Sequence, residues 1–220
     1  MTSWHPLLIP LSVDRGAPAR RGDLDAGGGL EVLLEQAEAQ GIAYTVTRVL
    51  STSASWAATL SAAEQGRLRK AQEAAVRHDL IWEQAVSGAL ESLPEDERPI
   101  LLKGAGARTL LYDHPGDRTC VDLDLMVPAS RLSRCLEALR SSGWEEEVNR
   151  RAPGWHVIGF SHRSAVATLS MEIHRTLDNP ERGSIDYDIL APRCLEMEVL
   201  GRLCLVPDPA AQLLVGATHA

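Results

Sequence analysis

The stretch Thr119–Val127, TCVDLDLMV, constrains the fold of this chain more than any other. Strand residues at i and i+2 share a face, so Asp122 and Asp124 project together while Val121, Leu123 and Leu125 point into a core. Two like charges that close repel and raise one pKa. Such a strand either lies at a sheet edge with both acids solvated or holds something positive between them. Apolar flanks on both sides and a glycine-containing turn upstream favour a divalent metal. Mg²⁺ takes one or two carboxylates and completes its shell with waters and phosphate oxygens.

Around this strand the chain divides by pattern. Residues 1–29 read as a flexible lead-in, because SVDRGAPARRGDLDAGGG has no apolar periodicity. Residues 30–96 read as helical. Leu30, Leu33, Leu34 and Ala37 share a face ended by Gly41. Ser61–Glu64, SAAE, has capping-box form and opens a long helix to about Leu93, with Leu68, Ala71, Ala75, Ile81, Ala85 and Ala89 as its buried members. Its stripe needs a partner, so this region is expected to pack on residues 97–220.

Residues 97–220 carry the chemistry. Ile100–Leu102 reads as a short strand running into Lys103-Gly104 and a helix through AGARTLLY; HPGDR then turns into the aspartate strand, which Pro128 stops. A helix follows, with Ser130 as N-cap, Leu132, Leu136 and Leu139 as its buried stripe, and Gly143 at its end. GWHVIGF and VATLSMEIHRTL read as a strand pair joined by SHRSA. Lys103-Gly104 at a strand-to-helix junction suits phosphate, because the helix start offers unpaired N–H groups and glycine permits close approach; a plain tight turn fits as well. Glu172, between Met171 and Ile173, repeats the pattern of one polar face among apolar neighbours. It fits a third metal carboxylate or a proton acceptor, or an exposed ion pair. His174 shares its face and reads first as a structural histidine.

A glycine at a strand–helix turn, D-x-D on the next strand and a lone carboxylate on a later strand resemble the DNA polymerase β-type nucleotidyltransferase superfamily. Within it, LLKG…LYDHPGDRTCVDLDLMVP…MEIH is similar to the family called uncharacterised nucleotidyltransferases, over roughly residues 68 to 215. The family features fall on Lys103, Gly104, Tyr112, Arg118, Asp122, Asp124, Glu172 and His174. Ala105 stands where the superfamily usually has serine or a second glycine. The family also continues into further helices after a segment like LCLVPDPAAQLLVGATHA, so a chain shortened at its C-terminus is one expectation.

The resemblance implies a mixed-sheet α/β (α+β) core preceded by a helical region. It implies one or two Mg²⁺ ions on Asp122, Asp124 and Glu172, and an NTP whose phosphates meet Lys103, Gly104 and Ala105. Arg118 would neutralise charge at the transferring group, with His174 and Tyr112 in support. Transfer of a nucleoside monophosphate to a hydroxyl would release pyrophosphate.

Net charge −8 argues against a long phosphate-tracking surface and favours a small molecule, peptide or protein as acceptor over long nucleic acid. A tRNA end needs only one local patch, so a toxin-like tRNA nucleotidyltransferase is an alternative. A non-catalytic nucleotide-binding regulatory module is another. The four cysteines form no C-x-x-C pair, and no apolar run approaches a membrane span, so reduced thiols in the cytoplasm and no membrane partner are expected.

Overall fold

The computed structural model describes residues 21–147, 157–163, 168–179 and 183–218. It divides into two compact units: residues 1–80 with 113–119, and residues 81–112 with 120–220.

The first unit is helical. It contains α1 (Arg21–Ala26), α2 (Gly29–Ala39), α3 (Ala43–Thr52), α4 (Ala54–Thr59) and the start of the long helix α5 (Ala62–Ser92). The lead-in expected to be flexible thus holds a helix at α1, because Leu24 is buried among Leu30, Leu33, Val46, Leu50 and Trp56. Gly41, at φ 66, ends the α2 region in the left-handed conformation that favours glycine. The loop Asp113–Thr119 docks on α3. Arg48 pairs with Asp117 through two bonds of 3.1 and 2.9 Å, and the Thr45 hydroxyl donates to the Asp117 carbonyl.

The capping box is formed. Glu64 accepts from the Ser61 backbone N–H at 2.8 Å, and the Glu64 N–H meets Ser61 Oγ at 3.3 Å. Arg21 adds a bond of 2.8 Å. Hydrogen bonds from Arg21 and then Ser61 hold the Glu64 carboxyl down at about 2, from an ordinary 4.5. A depressed carboxylate contributes stability above its unfolded pKa and loses it as pH falls through the folded one. Glu64→Gln is therefore expected to cost about 1 kcal/mol near neutral pH. The difference from the parent should shrink below pH 4.5 and vanish near 2. Urea titrations followed by helical circular dichroism at several pH values check this; a pH-independent difference would contradict it.

The second unit is built on a mixed seven-stranded sheet in the order β3-β4-β5-β2-β1-β9-β8. Its strands are β1 (Ile100–Leu101), β2 (Asp122–Met126), β3 (Glu145–Glu146), β4 (Val157–Arg163), β5 (Thr168–His174), β8 (Cys194–Val199) and β9 (Arg202–Pro207). A separate hairpin pairs β6 (Thr176–Asn179) with β7 (Gly183–Asp186). The helices are α6 (Lys103–Leu111), α7 (Leu132–Ser141), α8 (Tyr187–Leu190) and α9 (Pro209–Thr218). The segment between β4 and β5, residues 164–167, lies outside the described residues, as do residues 154–156 of the expected strand GWHVIGF.

Strand alternation sorts side chains into two apolar layers. Leu101, Leu123, Leu125, Met171, Ile173 and Val206 face one, with Cys135 and Leu139 of α7. The same layer contains Trp82, Val86, Ala89, Leu90 and Leu93 of α5. Of the stripe expected on α5, Leu68 and Ala89 are buried, whereas Ala71, Ala75, Ile81 and Ala85 are half-buried and Trp82, Val86, Leu90 and Leu93 carry the contact. Ile100, Leu102 and Met126 face the other layer, with Leu177, Leu190, Ala211 and Val215.

Two local expectations change. Val121 is 70% exposed, because the strand begins one residue after it. Ser130 is not the cap of α7: Arg131 holds that position, without a side-chain bond to the helix. None of the four cysteines is in a disulfide. Among the described residues no helix is long and apolar enough to cross a membrane.

Candidate active site

β2 and β5 run parallel with Asp124 directly opposite Glu172, Asp122 opposite Ser170 and Met126 opposite His174. Leu123, Leu125, Met171 and Ile173 are each 0% exposed in the core, which fixes the pleat and turns the acids to the opposite face. The Leu102 N–H donates to the Asp124 carbonyl at 2.9 Å. That bond fastens the end of β1 beside the acid strand, where the chain turns into α6 at Lys103.

The Lys103 ammonium reaches back over this face. Its Nζ lies 2.6 Å from Asp124 Oδ1 and 3.5 Å from Glu172 Oε2. His174 Nε2 lies 2.8 Å from the same Asp124 oxygen and 3.5 Å from Glu172 Oε2. Asp124 is 2% and His174 1% exposed, so charges this close are poorly screened. One ligand atom each from Asp124, Glu172 and His174 lies within 4.8 Å of the others. Two hard carboxylates and an imidazole can hold a divalent cation, and the ammonium among them shows that the cluster accepts positive charge.

Electrostatics follow from this crowding. The neighbouring His174 holds the Glu172 carboxyl down at about 2, burial opposing it and Lys103 assisting. Burial is the largest influence on His174 and on Lys103 and works against their charge, but the bond to Asp124 together with the nearby Glu172 and aspartate charges outweighs it, and both pKa values are raised. Asp122 moves the other way from Glu172: desolvation, then the Asp124 charge, push its carboxyl up.

Lys103, Asp124, Glu172 and His174 are thus brought together. Asp122 shares their face but stays outside the group of ligand atoms, because its cross-strand neighbour is the hydroxyl of Ser170. His174, expected in support, sits at the centre. Gly104 opens α6 where an added Cβ would come within 3.0 Å of Cys120 Sγ. Ala105 buries its methyl and is 3% exposed. Tyr112 caps the far end of α6 and is exposed. Arg118 is exposed and belongs to the Asp113–Thr119 segment of the helical unit.

Gly106 was not among the expected residues. A Cβ there would meet the Leu101 carbonyl oxygen at 2.4 Å, so only glycine lets α6 lie this close to β1. The signal was its place in G-A-G after the strand. A buried guanidinium was also missed: Arg108, 3% exposed, stacks 4.5 Å from the Trp82 ring centroid and pairs with Glu83 at 2.7 Å.

Residues 29–220 match the family described as uncharacterised nucleotidyltransferase. The chain belongs to that family. It is accordingly an enzyme that transfers nucleotidyl groups. Among solved structures, it is similar to the lincosamide antibiotic adenylyltransferase LnuA bound to lincomycin. The two are 19% identical with a TM-score of 0.36, over 54% of this chain and 73% of that one. No curated protein matches it.

The raised pKa of Asp122 means that its ionisation opposes folding near neutral pH. Asp122→Asn is therefore expected to leave unfolding in EDTA unchanged or raise its midpoint, while weakening metal-dependent nucleotide binding. Thermal melts and nucleotide titrations with and without Mg²⁺ check both halves. A large loss of stability without metal would make Asp122 a structural residue.

Proposed function

We propose that this nucleotidyltransferase moves a nucleoside monophosphate from an NTP to a hydroxyl of a small molecule, peptide or protein, with release of pyrophosphate. The observation that carries the reading is the register of β2 and β5, which sets Asp124 beside Glu172 on one face at the start of a helix. Asp124 and Glu172 would hold Mg²⁺, with Asp122 as a further carboxylate and His174 orienting Asp124. Bound there, the ion supplies charge neutralisation and in-line alignment for phosphoryl-group transfer.

The rest follows from the chain's own groups. The N–H groups of Gly104 and Ala105 belong to the first turn of α6, a positive dipole end that suits phosphate oxygens. Lys103 adds a mobile positive charge at the same turn. His174, donating from Nε2, keeps the Asp124 oxygen in place. The acceptor oxygen attacks the α-phosphorus, the bond to the β-phosphate oxygen breaks, and the acceptor proton passes to a nearby base or water.

The acidic balance of 30 carboxylates against 22 Lys and Arg supports a small or peptide acceptor over RNA. A second reading, a nucleotide-binding module without turnover, rests on Ala105, which brings a buried methyl where a hydroxyl would meet phosphate.

The test is incubation of the full chain with each α-³²P-labelled NTP, Mg²⁺ and a fractionated cell extract. The reading expects α-label, and no γ-label, in one small-molecule or protein fraction. Label on RNA alone would select the tRNA alternative. Nucleotide binding without transfer from any NTP would select the non-catalytic one.

A further inference from the structure

We propose that Lys103 is an internal cation that keeps a divalent metal off Asp124 and Glu172 until nucleotide phosphates draw its ammonium away, so that metal enters together with nucleotide. This rests on the reading of the site as a nucleotidyltransferase metal centre, and it assigns a gate within that centre.

The first observation is position. Nζ lies 2.6 Å from Asp124 Oδ1 and 3.5 Å from Glu172 Oε2, beside the two carboxylates that would hold a divalent ion. Mg²⁺ needs oxygens at about 2.0–2.1 Å and resists distortion of its shell. The ammonium and the ion therefore exclude one another by volume, and like charges this close also repel.

The second observation is the backbone. Lys103 has φ 47, one of two non-glycine residues among those described with positive φ. An unbranched L-residue gains nothing from the left-handed region, and strain of this kind persists where the surroundings impose it. Here it falls on the residue that opens α6 and whose side chain bonds Asp124 across the face.

The third is an alternative partner close by. The Lys103 side chain is 29% exposed, so it has a route out of the cluster, whereas Asp124 is 2% exposed and does not. Phosphates seated on the N–H groups at the start of α6 would offer Lys103 several anionic oxygens one turn or less from its own Cα. Exchange of one anion for another lets the ammonium leave without becoming unpaired. The vacated carboxylates then take the metal that arrives on the same phosphates.

The experiment measures Mn²⁺ binding to the full chain by electron paramagnetic resonance of free Mn²⁺, without turnover. The parent should bind weakly alone and tightly with a non-transferable ATP analogue. Lys103→Gln, which keeps a donor for Asp124 without the charge, should bind Mn²⁺ at least about tenfold more tightly than the parent without nucleotide. Lys103→Met should do the same, and Lys103→Arg should stay weak. Circular dichroism and melting curves select whichever neutral variant keeps the parent's fold. Equal Mn²⁺ affinity of the parent and the folded neutral variant overturns the gate while leaving the metal centre standing. Absence of Mn²⁺ binding in every protein, with or without nucleotide, overturns both.

Discussion

Asp124→Asn is expected to lower nucleotidyl transfer by roughly a thousandfold, the scale of several kcal/mol of lost charge stabilisation at the transferring phosphate. The same substitution should cost about 3 kcal/mol of stability without metal. Both effects come from one oxygen. Asp124 Oδ1 accepts from Lys103 at 2.6 Å and from His174 at 2.8 Å, in a position 2% exposed. Asparagine keeps an acceptor but loses the charge, and the Lys103 ammonium and the His174 ring lose their nearest anionic partner. Chemical denaturation in EDTA reads the stability term, and α-label transfer reads the catalytic one. Activity within tenfold of the parent would remove Asp124 from the chemistry. The contrast with Asp122→Asn, expected to be neutral or stabilising in EDTA, makes the pair diagnostic: of two aspartates two residues apart, only Asp124 should lose stability when neutralised.

Expression of residues 97–220 alone should give an aggregating or unfolded product. Trp82, Val86, Ala89, Leu90 and Leu93 of α5 belong to the same buried layer as Leu101, Leu123 and Met171. Large apolar side chains contribute about 1.5–3 kcal/mol each on burial, so these residues together contribute on the order of 10 kcal/mol. That matches the whole net stability of an ordinary domain, about 5–15 kcal/mol. The Trp82 indole N–H also donates to the Asp122 carbonyl at 3.3 Å, so the cut removes a support of the acid strand itself. A soluble fragment with cooperative unfolding and the parent's stability would overturn this. Solubility, circular dichroism and urea titration decide it. The sequence pattern sets the start of the core at residue 97, whereas the second unit begins at Ile81. A helix shows no break where its neighbours change, so residues 62–92 read as one element.

What the sequence by itself determined were features set within a few residues. Period-two alternation put Asp122 and Asp124 on one face and Leu123 and Leu125 in the core. Ser61 and Glu64 announced their own capping box, and Gly41 and Gly143 marked helix ends at φ 66 and 87. These are legible because the interacting groups are neighbours along the chain, and backbone geometry alone fixes their relation.

Only the tertiary structure decided the rest. Which residue faces Asp124 depends on the register of β5 against β2; a slip of one residue would set a buried apolar side chain there instead of Glu172. Register is a property of two strands and their shared core, so neither strand's pattern contains it. Nor could the chain alone say that Lys103 turns back onto Asp124, or that His174 rather than Asp122 completes the group of ligand atoms. Each is a contact between segments that meet only after the sheet has assembled. A few tenths of an ångström there decide between a bond and a clash.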